Sequence, residues 1–316
     1  MCTLRFLGID KESIETSKAA SSLGFRDCTL GLEMASLAGG LLSRLYGVSC
    51  DFLRKCLWRV VTFGPIPKHV AVIMDGNRRF ARNHHLKEGA GHRYGFVSLM
   101  STLRYCYEMG VEYVTIYAFS IDNFKRRPDE VQYVMDLMHE KLSSLLKEES
   151  LVNQYGVRVT FIGNLKLMPA YVRETAERAM EATAKNDKAV LSICVAYTST
   201  DEITRAVRES CNERRKSVSG SKLIMKNGDK SNGANDLITV SDLERHMYTA
   251  GYPELDILIR TSGETRLSNY LLWQSSGSFL HISDALWPEF ALRHVLWAVL
   301  EYQRAQPYLE KKRKMV

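Results

Sequence analysis

Six short runs of β-branched and other apolar residues recur along the chain: HVAVIM (69–74), YVTIYA (113–118), VRVTFI (157–162), VLSICVA (190–196), DILIRT (256–261) and SFLHI (278–282). Runs of this length, bounded by polar and turn-forming residues, predict strands. Apolar positions at helical spacing fill most of the gaps, over 92–109, 129–154, 169–186, 201–215 and 241–249, and a last helix is predicted at about 289–306. Strand–helix alternation predicts an α/β fold, a single domain whose mainly parallel six-stranded sheet is covered on both faces. That unit spans residues 64–306. Within it, residues 216–236 are polar and rich in Gly and Ser, and read as a flexible insertion.

The flanks read differently. Residues 1–40 form an N-terminal extension of mixed charge, with Met34 as an alternative start. Residues 41–63 carry Arg44, Asp51 and Lys55 at helical spacing among Leu, Phe, Trp and Val. They predict an amphipathic helix that either packs on its own domain or lies on a membrane surface, and both readings stay open. Residues 307–316 read as a solvated basic tail.

Composition narrows the classes. The chain has 316 residues, 45% hydrophobic and 25% charged, which is ordinary globular usage. The longest uncharged run, Leu267 to Ser283, is broken by Ser, Asn, Gln and His, so no bilayer span is predicted. Seven scattered cysteines without a C-x-x-C pair argue against a disulfide framework or a zinc ribbon. A net charge of +7 points to anionic partners. Nucleic acid is the weakest of these, because no RRM- or KH-like motif accompanies the charge.

In open α/β sheets ligands bind beyond the carboxyl ends of the strands. The first strand ends in Asp75-Gly76-Asn77-Arg78-Arg79. Asp75 offers hard oxygens suited to Mg²⁺, and the arginines suit phosphate oxygens. The second ends in Ser120-Ile121-Asp122-Asn123-Phe124-Lys125-Arg126, where Phe124 adds an aromatic wall. A late strand ends in Arg260 through Arg266 to Ser268, a second candidate clamp for a phosphorylated ligand. Each cluster alone could be a solvated turn; three of them at strand ends converge on anion binding. Competing motifs fail: there is no P-loop, no H-E-x-x-H, and Gly95 falls one position late for G-x-G-x-x-G after Gly89. His92, opening a helix beside that Gly loop, is the candidate functional histidine.

Taken together, the stretches HVAVIMDGNRRFA, GHRYGF, YAFSIDNFKRRPDEV, DILIRTSGETRLSNYLLWQ and LWPEF resemble the cis-prenyltransferase family, which includes undecaprenyl and dehydrodolichyl diphosphate synthases. The likeness is closest to its eukaryotic branch, including plant dolichol- and rubber-type enzymes. The resemblance implies that family's fold, with an apolar tunnel, and its reaction: repeated cis condensation of isopentenyl diphosphate onto an allylic diphosphate such as farnesyl diphosphate, with Mg²⁺. By motif position Asp75 would hold the metal. Gly76, Asn77, Arg78, Arg79, His92, Phe124 and Arg126 would hold the allylic diphosphate. Arg79, Arg260, Arg266 and Ser268 would hold isopentenyl diphosphate, and Ser120 and Asn123 would orient the reacting groups or relay a proton.

The chain departs from the pattern at three places. Glu88 stands where many members have Arg, with Lys87 beside it. Phe279 stands where bacterial enzymes have a metal-binding Glu. The tail, Lys311 to Val316, lacks the Arg-x-Gly by which self-sufficient members complete the site. The resemblance therefore implies a hetero-oligomer in which a Nogo-B-receptor-like accessory subunit supplies that tail; Trp287, Trp297 and Tyr302 are candidates for its interface and equally for the core. It also implies peripheral membrane contact at the cytosolic face of the endoplasmic reticulum or on a lipid or rubber particle. A non-catalytic accessory subunit of the same fold is the alternative, disfavoured because the site residues are present.

Overall fold

The computed structural model describes residues 56–87, 89–145, 151–224 and 237–314, without the side chains of residues 151 and 217–224. Six strands form one sheet in the order β3-β4-β2-β1-β5-β6, every adjacent pair parallel. They are β1 (His69–Ile73), β2 (Tyr113–Ser120), β3 (Val157–Ile162), β4 (Ala189–Tyr197), β5 (Ile257–Arg260) and β6 (Phe279–Ile282). All six fall on the predicted runs, and the sheet is wholly rather than mainly parallel. β1, β4 and β5 are buried along their whole length, as expected of strands covered on both faces.

The helices are α1 (Asn77–Asn83), α2 (Ala90–Met109), α3 (Pro128–Leu145), α4 (Leu151–Tyr155), α5 (Ala170–Ala182), α6 (Ser199–Ile224), α7 (Val240–Arg245) and α8 (Leu292–Arg313). Helix α1 falls on no predicted segment, α7 is shorter than the predicted 241–249, and three others differ more. The single helix predicted over 129–154 is two, α3 and α4. Helix α6 continues through residue 224, so the first part of the supposed flexible insertion is helical; residues 225–236 lie outside the described residues. Helix α8 runs to Arg313, so most of the supposed basic tail is helix. Its end is not simply solvated: Arg313 pairs with Glu254 at 2.9 Å and Asp256 at 3.2 Å, and the Lys312 ammonium donates to the Ser276 carbonyl. That contact fits a cation in a helix's last turn meeting acidic groups at the foot of the sheet.

Of the predicted 41–63 helix, residues 56–61 are described and are helical; the rest, with the 1–40 extension and Glu88, lies outside the described residues. Trp58 is buried against Tyr105 and donates its indole N–H to Glu108 at 3.0 Å, while Leu57, Val60 and Phe63 face outward. No described helix is long and apolar enough to cross a membrane.

Chain order places β1 at the point where the strand order reverses. β2 and β4 lie to one side, β5 and β6 to the other, so a crevice opens above the carboxyl end of β1.

Candidate active site

Above that crevice lies a cavity of 1310 Å³. Its mouth is lined by Asp75, Gly76, Asn77, Arg78, Arg79, His92, Ser120, Asn123, Arg126, Arg260, Arg266 and Ser268. Twelve of the thirteen residues singled out in the sequence therefore meet in one place. The exception is Phe124. It packs edge-on against Phe119, 4.9 Å between ring centroids, and joins the main core. The aromatic wall belongs instead to Phe119 and Phe96. Away from the mouth the lining is mostly apolar, between α2 (Leu99, Met100) and α3 (Leu137, Met138, Leu142, Leu145) and over Leu191 and Ile193 of β4, with Lys141 as its cation over the Phe96 ring.

Local folding explains the mouth. β1 ends at Ile73, and Gly76 turns the chain with φ of +108°, a value that disfavours a side chain. The Asp75 backbone is fixed from three directions. Its N–H donates to Thr261 Oγ1 at 2.9 Å, and its carbonyl accepts from the Thr261 hydroxyl at 2.7 Å and the Trp287 N–H at 2.9 Å. Asn77 donates from Nδ2 to the Met74 carbonyl, while its buried Oδ1 accepts no hydrogen bond among the described residues. A buried acceptor left open in this way awaits a donor on a ligand or water.

Two charge groups flank the mouth. In one, Arg260 donates from Nη2 to Asp75 Oδ2 at 2.7 Å and from Nη1 to Ser268 Oγ at 2.6 Å and to the Arg266 carbonyl. Arg79 and Arg266 converge on Glu264, and Arg79 also donates to the Ser262 hydroxyl. In the other, Arg126 and Arg78 share Glu130 at 2.9 and 3.7 Å. Five guanidinium groups meet three carboxylates, so the mouth keeps an excess of two positive charges for an anionic ligand. Sequence reading assigned no role to Glu130 or Glu264. The first was findable, since Glu130 lies four residues after Arg126 at a helix start. The second was not, because Glu264 sits in an irregular loop where spacing carries no spatial information.

His92 stands at the start of α2. Burial, then the Arg126 charge, lower its imidazole from 6.5 to about 4. At neutral pH it is an uncharged donor rather than a cation. The linkage follows in sign: between pH 6.5 and about 4 the unfolded chain takes up a proton that folded His92 refuses, so its contribution is full above 6.5 and is lost as pH falls. The slope is at most ~1.4 kcal/mol per pH unit. His92→Gln is expected to show a shallower loss of stability across that window in urea titrations at successive pH values. Buried His69, lowered in the same sense, leaves the same background slope in both proteins.

Asp75 is the one carboxylate at the mouth that the first strand supplies, and no group of three or more metal-ligating side chains gathers among the described residues. That donor set suits Mg²⁺, which takes one or two protein carboxylates and completes its shell with phosphate and water. Asp75 Oδ1 receives the Gly76 N–H and Oδ2 the Arg260 guanidinium, leaving further lone pairs toward the cavity. Phe279, at the start of β6, packs on the core and does not line the cavity.

Comparison with known proteins agrees with this geometry. The family of undecaprenyl diphosphate synthases matches over residues 73–309. Dehydrodolichyl diphosphate synthase 6 of Arabidopsis thaliana is 52% identical over 284 residues, covering 88% of this chain and 96% of that protein. A rubber cis-polyprenyltransferase of Hevea brasiliensis is 52% identical, covering 82% and 92%. A human dehydrodolichyl diphosphate synthase complex subunit is 41% identical, covering 81% and 73%. Among solved structures, lavandulyl diphosphate synthase from Lavandula x intermedia, in complex with dimethylallyl diphosphate, superposes with a TM-score of 0.65 at 28% identity, covering 75% of this chain and 95% of that one.

Proposed function

The chain belongs to the undecaprenyl diphosphate synthase, or cis-prenyltransferase, family and is a cis-polyprenyl diphosphate synthase; from that premise we propose that it extends farnesyl diphosphate with successive isopentenyl units to a long-chain polyprenyl diphosphate of the dolichol or rubber type. The observation that carries this is the continuity of the cavity: one end is cationic, and the same walls continue into an apolar interior. A substrate with a diphosphate head and a hydrocarbon tail matches both ends. Each buried CH₂ of the tail adds ~0.8 kcal/mol, so the interior can hold a growing chain without polar contacts.

The residues divide the work as follows. Gly76, Asn77, Arg78, Arg79, His92 and Arg126 hold the allylic diphosphate. Arg260, Arg266 and Ser268 hold isopentenyl diphosphate, with Arg79 between the two. The allylic C–O bond breaks and diphosphate leaves with the electron pair. The isopentenyl double bond supplies the new C–C bond, and a proton is lost from its C2. Fixed guanidinium groups stabilise the departing charge without reorganising. Ser120 and Asn123, which line the same cavity, orient the reacting groups or relay the proton. Mg²⁺, when bound at Asp75 with the phosphates, adds further charge neutralisation. With substrate absent, Glu130 and Glu264 keep the arginines paired.

We assign the chain to a hetero-oligomer on the strength of its human relative, a subunit of a dehydrodolichyl diphosphate synthase complex. Of the three aromatic residues expected at the partner face, Trp287 and Tyr302 are buried, Trp287 donating to the Gly95 carbonyl and Tyr302 to Asp256. Of the three only Trp297, 50% exposed, remains available, on the helix that packs against edge strand β6. Membrane contact at the endoplasmic reticulum rests on Val60 and Phe63, the latter 92% exposed next to exposed Arg59.

The deciding experiment is incorporation of labelled isopentenyl diphosphate with farnesyl diphosphate, Mg²⁺ and liposomes, with and without an accessory subunit carrying Arg-x-Gly. Long-chain product only with the partner is expected. Robust product from the chain alone removes the partner requirement, and no product from folded protein in either arm points to an accessory role.

A further inference from the structure

The segment that carries Ser268 has an unusual backbone. Ser268, Asn269 and Leu271 have φ of +49°, +57° and +43°, three left-handed non-glycine residues within four positions. Such a run is unfavourable for L-residues and persists only where its surroundings impose it; Asn tolerates it best. Its surroundings here are the buried packing of Tyr270 on Tyr117 and the start of α6, the 26-residue helix that begins at Ser199.

A helix start leaves its first N–H groups without intrahelical partners. In α6 the Ser199 N–H donates to the Asn269 carbonyl at 2.8 Å and the Thr200 N–H to Asn269 Oδ1 at 3.1 Å. The Thr200 hydroxyl lies 3.0–3.1 Å from both amide atoms of Asn269. Leu272 returns the contact, donating its N–H to Ser199 Oγ at 2.9 Å. Thr198 Oγ1 accepts the Asp201 N–H at 3.3 Å as the ordinary N-cap, and a residue some 70 positions downstream completes the cap by taking the two N–H groups before it. On the other side of Asn269, Ser268 Oγ and the Arg266 carbonyl both hold the Arg260 guanidinium.

We propose that Asn269 is a positioning residue for the isopentenyl diphosphate site: by capping α6 it holds the left-handed segment that sets Ser268, Arg266 and Arg260 in register. The inference rests on the reading of those three residues given above. It concerns Asn269 alone, which acts through its neighbour and the helix rather than on the reacting carbons.

The test is calorimetric binding with the full chain, isopentenyl diphosphate and farnesyl diphosphate each titrated alone with Mg²⁺, since neither alone turns over. Asn269→Ala loses the amide and the left-handed preference. Asn269→Gly keeps the backbone freedom and loses only the amide. Both are expected to weaken isopentenyl diphosphate about tenfold, the scale of one or two lost hydrogen bonds, and to leave farnesyl diphosphate within about twofold. Asn269→Asp, which keeps the acceptor at a helix N-terminus, should restore binding to within about threefold of wild type. Thr200→Val removes the hydroxyl contact without touching the segment and should move the constant the same way by a smaller factor, so the idea stays testable if Asn269→Ala folds poorly. A purely structural cap would lower the melting temperature and weaken both ligands alike or neither, which overturns the proposal. Ser268→Ala separates the two failures. If it weakens isopentenyl diphosphate while the Asn269 variants do not, the positioning role is wrong; if it too has no effect, the site assignment itself is wrong.

Discussion

Asp75→Ala is expected to lower turnover by ~10³-fold or more, because it removes the proposed metal carboxylate and the partner of Arg260 together. Arg260 is only 3% exposed, and Asp75 Oδ2 at 2.7 Å is its carboxylate partner among the described residues. Breaking a buried pair from one side leaves an uncompensated charge, at a cost of ~3 kcal/mol, the low end of the usual range because Asp75 itself is partly exposed. Asp75→Asn separates the two effects. Its amide oxygen can still accept from Arg260, at the loss of the Gly76 N–H contact that the second carboxylate oxygen made, so thermal unfolding should fall less than in the alanine variant. Its charge is gone, so turnover should fall nearly as far as in the alanine variant. Measuring initial rates and melting temperatures of both variants with Mg²⁺ as the only metal checks the argument. Wild-type rates in Asp75→Asn would remove the carboxylate from the mechanism.

The second large effect is expected at a residue with no side chain. Gly91 lies in the first turn of α2, where its Cα faces the backbone of Asn77. A methyl group there would fall inside the van der Waals radius of the Asn77 carbonyl oxygen and 2.8 Å from its carbon. Backbone cannot swing aside as a long side chain can, so α1 and α2 must separate. Gly95, one turn on, meets Asn77 and Trp287 in the same way. Gly91→Ala should therefore cost ~2–3 kcal/mol through overpacking. It should also cut turnover by ~10²-fold, since displacing Asn77 and its neighbours by about 1 Å misplaces the diphosphate. Differential scanning calorimetry with steady-state rates tests both; a variant unchanged in both would show that the close approach is dispensable.

These two sites differ in how visible they are in the sequence. Asp75 is conspicuous, a carboxylate at the end of an apolar strand, and strand ends are where open α/β sheets bind ligands. The six strands were legible for a related reason. Their runs are short, β-branched and almost uninterrupted, and β1, β4 and β5 prove buried throughout. Helix α1 was not legible, because NRRFARN offers only Phe80 and Ala81 to the core, too few for a helical period. Phe124 was misplaced for another reason. Adjacency to Asn123 says nothing about which way a side chain turns after a strand ends, and here it turns to Phe119 and the core. Trp287 and Tyr302 look like interface residues by composition, yet each has a buried polar partner that only the folded chain supplies. Asn269 shows the limit most clearly: its role depends on a helix start some 70 residues earlier, a pairing without periodicity or spacing.

The position of β1 has a consequence for how the protein is made. Among the described strands it is the first out of the ribosome, it is apolar apart from His69, and one of its edges is closed only by β5, about 180 residues further on. At ~5–20 residues per second that edge waits roughly 10–40 s for its partner. During synthesis the strand that will carry Asp75 is thus a half-satisfied template, open to any other extended chain nearby. Yield in a heterologous host should respond more to elongation rate and chaperone supply than to conditions chosen for the finished enzyme.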